Sequence, residues 1–375
     1  MSIVGAVKVL VVIGTRPEAI KLAPLVRALA ADPFFSVEVC ATSQHSDLLT
    51  QMLSFFAIEV THDLQAGRPN QTLSSLTSRV LEGVSDRLRR AKYDAVVVQG
   101  DTTTAFAGGL AAFYERVPVA HVEAGLRSGD LAAPFPEEGN RRLVDVVARW
   151  LFAPTSDARA HLLREGYPDD QIFVTGNTGI DALLVARDLV KRQSRPLPGD
   201  VPDGAPLALV TAHRRESFGP GMERICRAVR RLVDEEPGLH ALYPVHPNPN
   251  VREVAARLLG GHPRVHLTAP LDYPDFVRAL SAARVILTDS GGVQEEAPAL
   301  GRRVLVLRET TERPEGVAAG VAELVGTDEE RIVTRARALL AEAATSTAVS
   351  PYGDGRASER IAEVLKTGRL TQSYM

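Results

Sequence analysis

Cysteine is nearly absent from this chain. Cys40 and Cys226 are the two among 375 residues, and they fall in opposite halves. A disulfide framework is thereby excluded, and no Cys/His spacing resembles a zinc site. An excess of either charge is missing too. A formal net charge of −3 gives no electrostatic reason to expect a nucleic-acid or membrane partner. The opening apolar run, Val7 to Ile13, is too short for a spanning helix and carries no cleavage site. It reads as a first buried strand, and the chain as a cytoplasmic protein. Neither G-x-G-x-x-G nor G-x-x-x-x-G-K-[ST] occurs, so a dinucleotide fingerprint and a P-loop are both lacking. Low-complexity tracts and short-period repeats are absent as well.

The composition that is present, 45% apolar and 24% charged, belongs to an ordinary globular protein, and the length suffices for two domains. The first half alternates strands with helices. Val9 to Ile13 is a continuous apolar run, as expected of a strand covered on both faces. Gly14-Thr15-Arg16-Pro17 turns the chain into a helix reaching about Ala31, with Leu22, Val26 and Leu29 on one face. Further strands are expected at Val37 to Ala41, Ala95 to Gln99, Val117 to Val122, Leu151 to Ala153 and Ile172 to Thr175. Helices are expected at Leu73 to Arg90 and Thr104 to Tyr114. Gln193 to Pro206, dense in Pro and Gly, fits a linker. Beyond it the alternation restarts, with strands at Leu207 to Thr211, Leu239 to Pro244, Val265 to Thr268, Val285 to Thr288 and Val304 to Leu307. A last helix covers Ala357 to Lys366. The pattern predicts an α/β fold of two Rossmann-like, doubly wound domains, 1–192 and 207–349, facing a cleft, with 350–375 following.

Ligands of such sheets bind beyond the carboxyl ends of the strands. The polar residues after each strand are therefore the candidates. After Val285 to Thr288 come Asp289-Ser290-Gly291-Gly292 and a short helix. Backbone N–H groups and a helix N-terminus there suit a phosphate, and glycines let it approach. Glu296, one turn on, could reach sugar hydroxyls. Arg16 and Lys21 are cations at another helix start, which suits a diphosphate. Arg313, in a loop, is a further candidate phosphate contact. His213 ends the strand Leu207 to Thr211 and could give a proton to a departing phosphate; His246 has a similar position, and a satisfied structural histidine is the alternative for both. Asp101 and Glu123 follow strands, and Glu137 and Glu138 open a helix. Each has a structural alternative, Asp101 as an N-cap and the pair as partners of the helix dipole. Three acids meeting at one sheet edge suit proton transfer.

The segments GTRPEAIKLAPL, QGDTTTA, HVEAGLRSGD, PFPEEGNRR, VTGNTGIDAL, TAHRRESFG, YPVHPNPNVRE, LTDSGGVQEEAP and TTERPEGV run in order from residue 14 to beyond 317. Together they resemble the non-hydrolysing UDP-N-acetylglucosamine 2-epimerase family. One block alone is weak; nine in the same order are highly specific. The resemblance implies a GT-B type fold with the C-terminal helix crossing back to the first domain. It implies interconversion of UDP-N-acetylglucosamine and UDP-N-acetylmannosamine by loss of the C2 proton, elimination of UDP to a 2-acetamidoglucal, and re-addition. It also implies that no cofactor or metal takes part. By motif position Asp101, Glu123 and Glu137 resemble the acid–base set, with Glu138 the less expected of its pair, and His213 the group that assists departure of UDP. Arg16, Lys21, Ser290, Gly291, Gly292, Glu296 and Arg313 resemble the UDP contacts, and Phe276 the residue near the uracil. Bacterial members carry a second UDP-N-acetylglucosamine as activator; Gln44, His45, Arg214 and His246 match that region. Ser46 stands where many relatives have arginine, which puts the activator site in question. Relatives imply a homodimer. A GT-B glycosyltransferase would leave the three acids without a joint purpose, and a sensor without turnover should have lost some of them. A hydrolysing epimerase, releasing N-acetylmannosamine and UDP, is the third alternative.

Overall fold

In the computed structural model, which describes residues 6–42, 46–193, 195–342, 350–371 and 373–374, the apolar runs become two parallel sheets. The first contains β1 (Val7–Ile13), β2 (Phe35–Ala41), β3 (His62–Asp63), β4 (Ala95–Gln99), β5 (Val119–Val122), β6 (Trp150–Ala153) and β7 (Ile172–Val174), in the order β3-β2-β1-β4-β5-β6-β7. The second contains β8 (Leu207–Thr211), β9 (His240–Pro244), β10 (Val265–Thr268), β11 (Ala283–Thr288), β12 (Val304–Val306) and β13 (Ala322–Leu324), ordered β10-β9-β8-β11-β12-β13. Both follow the doubly wound plan. Each therefore has a switch point where the chain direction of winding reverses, β1 beside β4 and β8 beside β11.

Burial explains why these runs are strands. Val9 to Ile13 are wholly buried, as are Val96, Val97 and Val98, because helices cover both faces and β-branched residues pack well there. Helices contribute one face each. In the helix Pro220–Glu235, Met222, Ile225, Val229, Leu232 and Val233 are buried against β8, β9 and β11 residues, while Arg227, Arg230 and Arg231 pair with acids on its outer side. Each such buried aliphatic side chain is worth about 1.5–3 kcal/mol. Two strands went unread in the sequence. β3 has two residues and β13 three, too few for any periodicity to register. Val117, expected in β5, instead donates its N–H to the helix carbonyl of Ala112 at 2.9 Å, and the strand begins after Pro118.

Two compact units result, Met1–Ala182 with Gly353–Met375, and Leu183–Tyr352. The C-terminal helix, Ala357–Thr367, belongs to the first unit and packs on the helix Arg16–Ala31, as the crossing-back helix was expected to do. Its own N-cap residue, Arg356, makes no capping bond. Asp181 supplies the cap instead, accepting the backbone N–H groups of Ala357 at 3.2 Å and Ser358 at 2.6 Å. Among the described residues no helix is long and apolar enough to cross a membrane.

Asp181 is 4% exposed, and burial pushes its carboxyl up from 3.8 to about 6 despite those bonds. A raised carboxyl favours the folded state while it is protonated. That contribution is complete below about pH 4 and is lost as pH rises through about 6. A rise of this size corresponds to about 3 kcal/mol. Urea unfolding of wild type and Asp181→Asn between pH 4 and 7 should show wild type losing stability relative to the variant across that window. A constant difference at every pH contradicts the assignment.

Candidate active site

The first unit's candidates lie where β1, β4 and β5 end. Gly14 follows β1, and a Cβ on it would sit 2.1 Å from Thr104 Oγ1 and 2.5 Å from Thr42 Oγ1, so only glycine fits this turn. Thr15 and Glu18 then form a capping box on the helix Arg16–Ala31. Glu18 accepts the N–H groups of Gly14 at 2.9 Å and Thr15 at 2.7 Å, and the hydroxyl of Thr102 at 2.6 Å. Burial raises its carboxyl, against the lowering effect of those bonds. Arg16, the first helical residue, is half-buried at this edge.

Thr102, not Asp101, caps the helix Thr103–Tyr114, accepting from Ala105 N at 3.0 Å. The capping alternative for Asp101 therefore falls away. Its carboxylate meets the guanidinium of Arg141, and its carbonyl accepts from Asn140 Nδ2 at 2.9 Å. Beneath it, His121 Nε2 lies 2.8 Å from the Gly100 carbonyl and Nδ1 2.6 Å from Asp145. Asp145 also binds Arg127 at 2.7 Å.

Glu123 follows β5 with φ of 68°, a left-handed backbone that costs a non-glycine residue about 1–2 kcal/mol. Lys21 places its ammonium 2.7 and 2.6 Å from the two carboxylate oxygens, and the Gln99 amide donates to the same group. A strained acid between a cation and an amide at a strand end is the pattern of a functional position. Gln99 is opposite Val122 in the β4–β5 register, so Asp101 and Glu123 leave adjacent strands. Glu137 opens the helix Glu137–Val147 one turn before Arg141, on the face that holds Asp101. Its neighbour Glu138 is wholly buried and accepts from Ser128 N at 2.9 Å, Gly129 N at 3.4 Å and Arg141 at 3.2 Å. Burial alone would raise this carboxyl; the two N–H groups and Arg141 bring it below the usual range. Glu138 holds the 128–129 loop, while Glu137 is half-buried at the start of the helix.

In the second unit the site is built where β8 and β11 end. Ser290 precedes the helix Gly291–Ala299 and makes no side-chain cap bond. The Arg313 guanidinium lies over this turn, 3.5 Å from where a Gly291 Cβ would be. Arg313 pairs with Glu295. Burial works against its charge, and Glu295 more than restores it. Thr311, which accepts from Arg313 N at 3.1 Å, donates to Gln294 at 2.6 Å, tying that loop to the helix. A helix N-terminus and a guanidinium are both groups that can hold an anion. Glu296 is half-buried one turn on, and Phe276 is half-buried on the helix Tyr273–Ala282, which packs beside β8 and β11. His213 stacks on His246, ring centroids 5.4 Å apart. The side chain of Arg214 is exposed. Gln44 and His45 lie outside the described residues.

Five supporting residues carried no weight in the sequence: Glu18, Gln99, His121, Asn140 and Arg141. Only Glu18 had a local signal, the Thr-x-x-Glu spacing of a capping box. The others act across distances of tens of residues in sequence. Among the described residues no cluster of three His, Cys, Asp or Glu side chains could hold a metal ion.

Residues 27–366 match the family model described as UDP-N-acetylglucosamine 2-epimerase. The chain is 52% identical over 374 residues to the UDP-N-acetylglucosamine 2-epimerase of Escherichia coli K12, covering 97% of this chain and 100% of that one. A 2.2 Å crystal structure of a putative UDP-N-acetylglucosamine 2-epimerase from Listeria monocytogenes superposes with TM-score 0.89 at 43% identity, over 99% of this chain and 100% of that one. The Neisseria meningitidis UDP-GlcNAc 2-epimerase bound to UDP-GlcNAc superposes with TM-score 0.79 at 44% identity, over 96% and 99%. The α/β fold of two Rossmann-like domains, GT-B-like, is shared with these structures.

Glu18→Ala should strip the acceptor from two backbone N–H groups at the β1 turn. A buried donor left unpaired costs about 1–3 kcal/mol, so urea unfolding should show a loss of roughly 2–4 kcal/mol. A loss under about 0.5 kcal/mol would mean that Glu18 does not hold the turn.

Proposed function

The chain belongs to the UDP-N-acetylglucosamine 2-epimerase family, and from that premise we propose that it is a non-hydrolysing enzyme of that family. It inverts C2 of UDP-N-acetylglucosamine reversibly to give UDP-N-acetylmannosamine. The observation that carries this reading is the set of acids at the ends of β4 and β5, each held against a cation or amide.

The chemistry follows from what the residues can do. A carboxylate takes the C2 proton; the electrons of that bond form the C1–C2 double bond as the C1–O bond breaks and UDP leaves. Asp101, Glu123 and Glu137 are the groups proposed for this transfer and for the return of a proton to the opposite face of C2. The developing diphosphate charge is met by the Ser290-Gly291-Gly292 turn and Arg313, with Arg16 and Lys21 as further cations and His213 as the proton donor. Glu296 is proposed to hold the sugar–nucleotide portion and Phe276 to line the uracil. UDP then adds back to C1 of the 2-acetamidoglucal. No oxidant is required, since the electrons of the C2–H bond are returned at the second step. Arg214 and His246, with Gln44 and His45, are proposed as the subsite of an activating second UDP-N-acetylglucosamine, and a homodimer as the assembly. The hydrolysing alternative predicts a different product, free N-acetylmannosamine.

Turnover of UDP-N-acetylglucosamine in D2O should place deuterium at C2 of both nucleotide sugars, read by mass spectrometry and NMR. Retained protium under turnover, or release of free sugar in step with UDP, would count against the reading. Asp101→Asn should keep its affinity for UDP, because the Ser290-Gly291-Gly292 turn and Arg313 are elsewhere, while kcat falls roughly 10³-fold. Normal turnover in that variant removes Asp101 from the mechanism.

A further inference from the structure

Asp289 has no assigned role, yet it is the most constrained polar group near His213. It is wholly buried directly after β11. β8 and β11 run parallel with Thr211 opposite Thr288, so the residues leaving the two strands meet just past the sheet. Oδ2 of Asp289 accepts the N–H of His213 at 2.6 Å and of Arg214 at 2.7 Å. Oδ1 is also buried and accepts no hydrogen bond among the described residues. Its neighbour is His213 Nδ1, 3.4 Å away. A buried carboxylate oxygen without a donor is expensive, and the imidazole beside it can supply an N–H.

His246, stacked on His213 with 11° between the ring planes, has the opposite arrangement. Its Nδ1 accepts the backbone N–H of Asn248 at 3.1 Å. That nitrogen must carry a lone pair, so His246 is the neutral Nε2–H tautomer. The two stacked rings thus have different Nδ1 neighbours, a backbone N–H for His246 and a carboxylate oxygen for His213.

We propose that Asp289 is the positioning residue of His213: it holds the imidazole with Nδ1–H directed at Oδ1, so that Nε2 is the nitrogen that gains and loses the proton. This rests on the reading of His213 as the donor to departing UDP. The carboxylate does two things that a merely structural acid would not combine. It anchors the backbone of the 213–214 turn through one oxygen and selects the tautomer through the other. A third group that orients an acid–base histidine is the logic of catalytic triads.

The test is the tautomer itself. Full-length protein labelled with 15N-histidine gives imidazole correlations at pH 8, and His213→Gln identifies the His213 signals by their loss. The expected result is Nδ1–H for His213 and Nε2–H for His246 in the same spectrum. An Nε2–H tautomer for His213 in the wild type overturns the proposal, whether or not any Asp289 variant folds. Asp289→Asn should release His213 to the other tautomer and lower kcat for UDP-N-acetylglucosamine about 10²-fold or more, with KM changed less than about threefold. A variant that loses activity while His213 keeps Nδ1–H also overturns it, because Asp289 would then serve the backbone alone. A wild type without C2 exchange would defeat the proposed function, while the tautomer result would still decide the role of Asp289.

Discussion

A parallel sheet sends the carboxyl end of every strand to one edge, and every candidate functional group in this chain depends on that constraint. Hydrogen-bonded strands cannot place a side chain into their own continuation, so the first residues past the last ladder bond are the ones aimed outward. In the first unit these are Gly14 to Arg16 after β1, Gly100 and Asp101 after β4, and Glu123 after β5. In the second they are His213 after β8 and Asp289 to Gly292 after β11. Both sets sit at the place where winding reverses, where the helices that follow neighbouring strands depart to opposite faces and leave the edge open.

Concentrating acids there carries an electrostatic cost, and the structure meets it locally. Asp101 faces Arg141, and Glu123 has Lys21 and the Gln99 amide. Each carboxylate therefore has donors of its own. The arrangement also explains why Thr102 matters: as the cap of its helix it leaves the Asp101 carboxylate to other partners. Strain is accepted as well. Glu123 holds a left-handed backbone at φ of 68°, which glycine would adopt without penalty, and keeping an acid there costs about 1–2 kcal/mol. The buried line of His121, Asp145 and Arg127 fixes the Gly100 carbonyl from below, so the position of Asp101 is set by three elements at once.

Much of this was legible in the chain. Continuous Val/Ile/Leu runs marked nearly all the longer strands, because a doubly covered strand has no polar face, and the candidates chosen after those runs lie at the carboxyl edges of the two sheets. The short strands β3 and β13 were not, since two or three residues carry no period. Nor were Gln99, Asn140, Arg141 and Asp289 distinguishable from other polar residues. Their importance comes from partners such as Glu123 and Asp101, or from a turn at 213–214, and a pairing over 24 to 76 residues leaves no local trace. Glu138 shows the reverse case. Composition and spacing do not separate it from Glu137; motif position makes it the less expected of the pair, and in the structure it is buried against Ser128 and Gly129.

The central claim is that the bond between C1 and the UDP oxygen breaks during inversion, with UDP held while carboxylates exchange the proton at C2. Oxygen-18 in the bridge between C1 and the β-phosphorus tests this most directly. During turnover of UDP-N-acetylglucosamine so labelled, the account predicts that the label spreads from the bridge into the non-bridging β-phosphoryl positions, as UDP turns over before adding back. Label that stays wholly in the bridge while UDP-N-acetylmannosamine accumulates would contradict it.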